Sequence, residues 1–138
     1  MSMKVLIAED DPVLRSLLKN ILANWEYDVL IASDGDEAWS ALQSEDAPQL
    51  AILDWMMPGL HGSEVCRRVR HEAKEPRTYI ILLSAHEWQD TETGADDYLF
   101  KPFKVSELRA RVHAGKRAIE TQREPLHAFA KREHTVGI

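Results

Sequence analysis

Leu50-Ala51-Ile52-Leu53-Asp54 decides the fold: four consecutive apolar residues close on an acid, and Trp55-Met56-Met57-Pro58-Gly59 follows as a turn. A strand with one face in water alternates apolar and polar residues. A run that is apolar throughout is instead covered on both faces, as in a parallel sheet between two layers of helices. Four further runs of this kind flank it: Val5-Leu6-Ile7-Ala8, Val29-Leu30-Ile31-Ala32, Tyr79-Ile80-Ile81-Leu82-Leu83 and Tyr98-Leu99-Phe100. Helix-period segments separate them. Leu14, Leu17, Leu18, Ile21, Leu22 and Trp25 recur at three and four, with Asp11 as N-cap and Pro12 in the first helical position. Asp34 with Glu37 makes a capping-box-like start for a second helix carrying Ala38, Trp39 and Leu42. A third spans residues 63–71. The last begins near Lys104, where Val105, Leu108, Val112 and Ile119 share a stripe; Gly115 weakens it and Pro125 interrupts it. The alternation predicts an α/β fold, a doubly wound five-stranded parallel sheet whose ligand site lies beyond the carboxyl ends of the strands.

With 138 residues and 44% apolar composition, the chain can bury one core. The expected division is a domain over residues 1–121 and a helical extension or linker over residues 122–138. No run approaches the roughly 20 apolar residues of a membrane span, and Met1 leads directly into a strand without a signal-peptide profile. A cytoplasmic protein with no membrane partner is expected. Cys66 is the single cysteine and reads as a half-buried structural thiol. Residues 1–100 hold 8 basic and 19 acidic side chains, whereas residues 101–138 hold 9 basic and 4 acidic. The basic tail is interleaved with Glu107, Glu120 and Glu124 at helical spacings, which marks a solvated face, so direct nucleic-acid binding is not expected.

The strand ends carry the chemistry. Glu9 and Asp10 follow the first strand, Asp54 ends the third, Ser84 the fourth and Lys101 the fifth. Glu9-Asp10-Asp11-Pro12 contains no glycine and a surplus of negative charge, so the crevice does not suit a nucleotide and should attract a cation. Crowded carboxylates repel unless an ion neutralises them, and oxygen-only ligands suit Mg²⁺. Asp54 is then the candidate nucleophile toward a phosphoryl group; Lys101 pairs with one phosphoryl oxygen and Ser84 donates to another. A cap or turn role is preferred for Asp11 and Asp34. For Asp54, a charge ending a buried strand is costly without a partner.

These residues resemble the receiver domains of bacterial two-component systems over residues 3–121. The carrying segments are Val5 to Asp11, Ile52 to Gly59, Leu82-Leu83-Ser84-Ala85, and Gly94-Ala95-Asp96-Asp97-Tyr98-Leu99-Phe100-Lys101-Pro102-Phe103. The resemblance implies a flavodoxin-like strand order 2-1-3-4-5 and a regulatory phosphoacceptor domain, with only weak self-phosphorylation and self-dephosphorylation chemistry. A histidine kinase or phosphotransfer protein would supply the phosphoryl group. It further implies that Asp10 ligates Mg²⁺ directly and Glu9 through water, that the backbone carbonyl of Met56 completes the metal site, that Tyr98 is an aromatic switch, and that the Lys101-Pro102 peptide is cis. Trp55 and Met56, directly after Asp54, are candidates either to restrict water attack or simply to cover the loop, and His86 is a candidate to modulate hydrolysis.

Two features depart from that family. Between Ser84 and Lys101 the chain is short by roughly one and a half helical turns, so the fourth helix is expected to be a stub around Trp88 to Glu92, or missing. That undercuts a homodimer built on the face of this helix and the fifth strand. The tail from Leu126 to Ile138 loosely resembles the opening of a diguanylate cyclase domain, which makes such an effector a candidate C-terminal partner. Among alternatives, a haloacid-dehalogenase-type phosphatase needs a second Asp where Met56 stands. A pseudo-receiver, an interaction module that is not phosphorylated, is the other reading.

Overall fold

The computed structural model describes residues 2–72, 75–85 and 93–123. The expected stub at Trp88 to Glu92, His86, and the tail from Leu126 lie outside the described residues. In chain order the elements are β1 (Lys4–Ala8), α1 (Pro12–Asn24), β2 (Asp28–Ala32), α2 (Gly35–Gln43), β3 (Leu50–Asp54), α3 (Gly62–Glu72), β4 (Tyr79–Ser84), β5 (Asp97–Phe100) and α4 (Val105–Arg123). The five strands form one parallel sheet in the order β2-β1-β3-β4-β5, as expected. Among the described residues no helix lies between β4 and β5, so α4 is the helix that follows the last strand.

Side chains of a strand alternate between the two sheet faces, and each face has its own core. Val5, Ile7, Ile52, Ile81 and Leu83 pack with Leu18 and Leu22 of α1 and with Leu108, Val112 and Ile119 of α4. Leu6, Ala51, Leu53 and Leu82 pack on the other face with Ala38 and Leu42 of α2 and with Val65 and Cys66 of α3. All five residues of β3 are buried, and its register sets Ile52 beside Ile7 and Ile81.

Several local expectations are corrected. β2 is an edge strand paired only with β1, and Leu30 and Ile31 are 38% and 40% exposed, so its apolar run is not covered on both faces. Leu17 belongs to the three-and-four repeat of α1 yet is 51% exposed, because the buried stripe narrows to Leu18 and Leu22. Asp11 and Asp34 are N-caps as expected, accepting from Val13 N and Glu37 N. Glu37 reaches past Asp34 to the Ser33 amide at 2.7 Å, so the reciprocal half of the box closes one residue upstream. Gly115 lies within the continuous α4 and has a packing reason there: a Cβ would press on the Tyr79 ring and Leu50, and its absence lets the helix lie close on the sheet. Cys66 is fully buried, and burial pushes its thiol pKa up to about 11, so it carries no thiolate chemistry. No described helix is long and apolar enough to cross a membrane.

Candidate functional site

The carboxyl ends of β1, β3 and β5 deliver Glu9, Asp10, Asp54 and Lys101 to one crevice. Glu9 leaves the sheet directly after β1, its amide still donating to Ala32 O at 3.2 Å, and is fully buried. Asp10 is exposed at the mouth and Asp54 is 7% exposed. One carboxylate oxygen from each of these three acids lies within 4.8 Å of the other two. Lys101 Nζ stands 3.1 Å from Glu9 Oε1 and 3.1 Å from Asp54 Oδ1. Its peptide bond to Pro102 is cis.

Charge does not balance here. Three acids face one ammonium, and Glu9 Oε2 is buried with no hydrogen-bond partner among the described residues. Burial first, then the neighbouring Asp54 carboxylate, push the Glu9 pKa from 4.5 up to about 8, with Lys101 pulling the other way. Burial alone would lower the Lys101 pKa, but Asp54 and Glu9 outweigh it and hold the ammonium above the usual lysine value. An oxygen-only donor set with an unfilled buried lone pair fits a hard divalent cation.

The remaining candidates are distributed around this cluster. Ser84 ends β4, fully buried, opposite Phe100 of β5. Met56 lies two residues beyond Asp54 and is 62% exposed. Tyr98 is half-buried in β5, and its ring lies 6.5 Å from that of Trp55. Three supporting residues were not singled out from the sequence. Arg15 of α1 donates to the Glu9 carbonyl at 3.0 Å and steadies the turn bearing both acids. At Gly62 a Cβ would overlap the Asp54 carbonyl oxygen, and at Gly35 the Leu60 carbonyl oxygen; Gly35 N also donates to Pro58 O at 3.1 Å. The two glycines thus let α3 and α2 close on the segment after Asp54. Their only sequence signal is position at a helix start, which a generic cap shares.

The family model described as the response regulator receiver domain matches residues 5–113. The chain belongs to this family. The phosphate regulon transcriptional regulatory protein PhoB of Rhizobium meliloti is similar to this receiver domain, 43% identical over 116 residues that cover 80% of this chain and 51% of that protein. The receiver domain of the sensor histidine kinase PA1611 of Pseudomonas aeruginosa, solved with a magnesium ion in its active site cleft, is 30% identical with a TM-score of 0.72, covering 87% of this chain and 99% of that one. A two-component system response regulator/GGDEF domain protein of known structure is 28% identical with a TM-score of 0.77, covering 86% of this chain and 50% of that one. The chain spans about half the length of the curated relatives it matches. A receiver domain of a response regulator is a regulatory module rather than a classical enzyme, and this one carries the acidic pocket.

Proposed function

We propose that this receiver domain accepts a phosphoryl group on Asp54 from a histidine kinase or phosphotransfer protein in the cytoplasm, and that slow hydrolysis of the resulting aspartyl phosphate resets it. One observation carries the proposal: three carboxylates, two from the turn after β1 and one from the end of β3, converge within 4.8 Å, with the Lys101 ammonium bridging Glu9 and Asp54. Asp54 is the nucleophile. Its carboxylate oxygen forms the new P–O bond while the donor's P–N bond breaks and the electron pair leaves on the imidazole nitrogen. Lys101 orients Asp54 through Oδ1 and offers a positive charge to an entering phosphoryl oxygen. Ser84, at the end of β4, donates to another.

Glu9, Asp10, Asp54 and the Met56 carbonyl are the groups that would hold Mg²⁺. When bound, that ion supplies the positive charge that lets an anionic phosphoryl group approach the carboxylates. On this reading residues 1–121 are the receiver unit and residues 122–138 the extension or linker toward an output segment; α4 continues to Arg123. PhoB is a transcriptional regulatory protein and another relative carries a GGDEF domain, so a separate effector, such as a diguanylate cyclase, receives the signal.

Incubating the full chain with Mg²⁺ and a small acyl or amido phosphate tests this directly. Intact mass should rise by one phosphoryl group, stable to acid and released by base or hydroxylamine, and Asp54→Asn should gain nothing. A wild-type protein that gains no mass is a pseudo-receiver, and the proposal fails.

A further inference from the structure

The turn that brings two of the three acids to the crevice is anchored at both ends and not between them. Glu9 is tied on three sides: its amide donates to Ala32 O at 3.2 Å, its carboxylate accepts from Lys101 Nζ at 3.1 Å, and its carbonyl accepts from Arg15 Nη1 at 3.0 Å. Asp11 caps α1, its side chain accepting the Val13 amide at 3.0 Å and its carbonyl the Arg15 amide at 2.9 Å. Asp10 stands between these anchors, exposed at the mouth, and among the described residues no hydrogen bond or ion pair holds its carboxylate. Its place within 4.8 Å of the Glu9 and Asp54 carboxylates therefore depends on the backbone that carries it.

Arg15 is common to both anchors. The bond from its amide to Asp11 is the ordinary first rung of a helix, which any residue but proline makes. The bond from its guanidinium to Glu9, six residues back, needs a long side chain with a planar donor head. Among the described residues Arg15 joins no ion pair, although three acids gather in the crevice served by this turn, so it acts as a donor to the backbone and not as a counter-ion.

We propose that Arg15 is a positioning residue: by tying the Glu9 carbonyl to the first turn of α1 it presents Asp10 to a divalent cation, and so sets how tightly the crevice binds Mg²⁺ and how strongly it prefers Mg²⁺ to Ca²⁺. The proposal rests on Glu9, Asp10 and Asp54 being the metal ligands. Charge and bracing have opposite signs here. As a charge, Arg15 opposes any cation, and deleting it should tighten binding. As a brace, its deletion loosens the donor set, which weakens Mg²⁺ more than Ca²⁺ because Mg²⁺ demands near-octahedral geometry and Ca²⁺ accepts irregular coordination.

Calorimetric titration of the metal-free full chain with MgCl₂ and, separately, CaCl₂ decides between them. Arg15→Ala should raise the Kd for Mg²⁺ roughly tenfold, as loss of a partner that orients a ligand does, and that for Ca²⁺ by less, so that the preference for Mg²⁺ falls. Arg15→Lys keeps a donor on a long stem and should lie nearer the wild type. Lys19→Ala removes the same charge from an exposed position of the same helix and should leave the preference unchanged. In metal-free Arg15→Ala the Asp10 amide resonance should shift while that of Leu18, buried further along α1, stays in place and reports an intact helix. An Arg15→Ala protein that binds Mg²⁺ as tightly as the wild type or more tightly overturns the proposal, as does an equal loss for both ions. A wild type that binds neither ion overturns the metal reading and this proposal with it, whereas failure of the variant beside a binding wild type counts against Arg15 alone.

Discussion

Two charged clusters join distant segments of this chain, and they are built on opposite rules. At the Arg70 cluster, Asp96 Oδ2 accepts from Arg70 at 2.6 Å and from the Ile80 amide at 2.8 Å, and Oδ1 accepts from Arg77. Two cations meet one acid and both oxygens are filled. In the crevice, among the described residues, three acids meet one cation and a buried Glu9 oxygen has no hydrogen-bond partner. Both sites desolvate charge, so the contrast lies in completeness. A closed network acts as scaffold, whereas a network short of positive charge is receptive to a cation and to groups that arrive with one.

The largest effect should come from opening the closed network. Asp96→Ala leaves the Arg70 guanidinium, only 17% exposed in its side chain, without its counter-charge, and strips the Ile80 amide of its acceptor. Removing one partner of a largely buried pair costs about 3 kcal/mol, read as a lowered midpoint in urea denaturation. A loss below about 1 kcal/mol would show that the network is not a brace and would break the contrast.

In the crevice the sign reverses, because removing a charge there should help the metal-free protein. The Glu9 pKa is raised in the folded state to about 8 from 4.5, so the folded chain binds the proton more tightly. Stability from this group is complete below the unfolded value, falls as pH rises between the two values, and is lost above the folded one. Metal-free wild type should therefore weaken between pH 5 and pH 8.5 relative to Glu9→Gln, by roughly 2 kcal/mol at the alkaline end. Mg²⁺ competes with the proton for the same oxygens and should restore more stability at pH 8.5 than at pH 5. Parallel stability curves for the two proteins would remove the charge deficit from the comparison.

The crevice was legible before the fold and the brace was not, and the reason is physical. Asp54 closes a strand that is apolar at every position, and in a parallel sheet all strand ends that matter lie on one edge, so Glu9, Asp10, Ser84 and Lys101 could be placed together from spacing. The order of the strands came from the family resemblance rather than from any periodicity. Arg70 looks like an ordinary basic residue in the last turn of a helix, and Asp96 like a turn former; their pairing exists only once α3 lies across the entry to β5. Edge position is equally silent, since Leu30 and Ile31 read as doubly covered until β2 is found beside a single neighbour. Glu37 erred by one residue because a capping side chain has several amides within reach.

The smallest effect isolates burial from ion pairing itself. Lys4 and Asp46 form an ion pair as direct as that of Arg70 and Asp96, but the Asp46 side chain is 82% exposed. Water already solvates both partners, and holding two mobile side chains in one geometry offsets most of the attraction, so Asp46→Asn should change stability by less than about 0.5 kcal/mol. At 1 M salt, where screening acts over about 3 Å, even that difference should vanish, while the Asp96→Ala loss should persist because its partners are shielded from ions. If Asp46→Asn instead destabilised the chain as much as Asp96→Ala, contact alone would account for both, and the fullness of the Arg70 network would have no separate consequence to set against the open crevice.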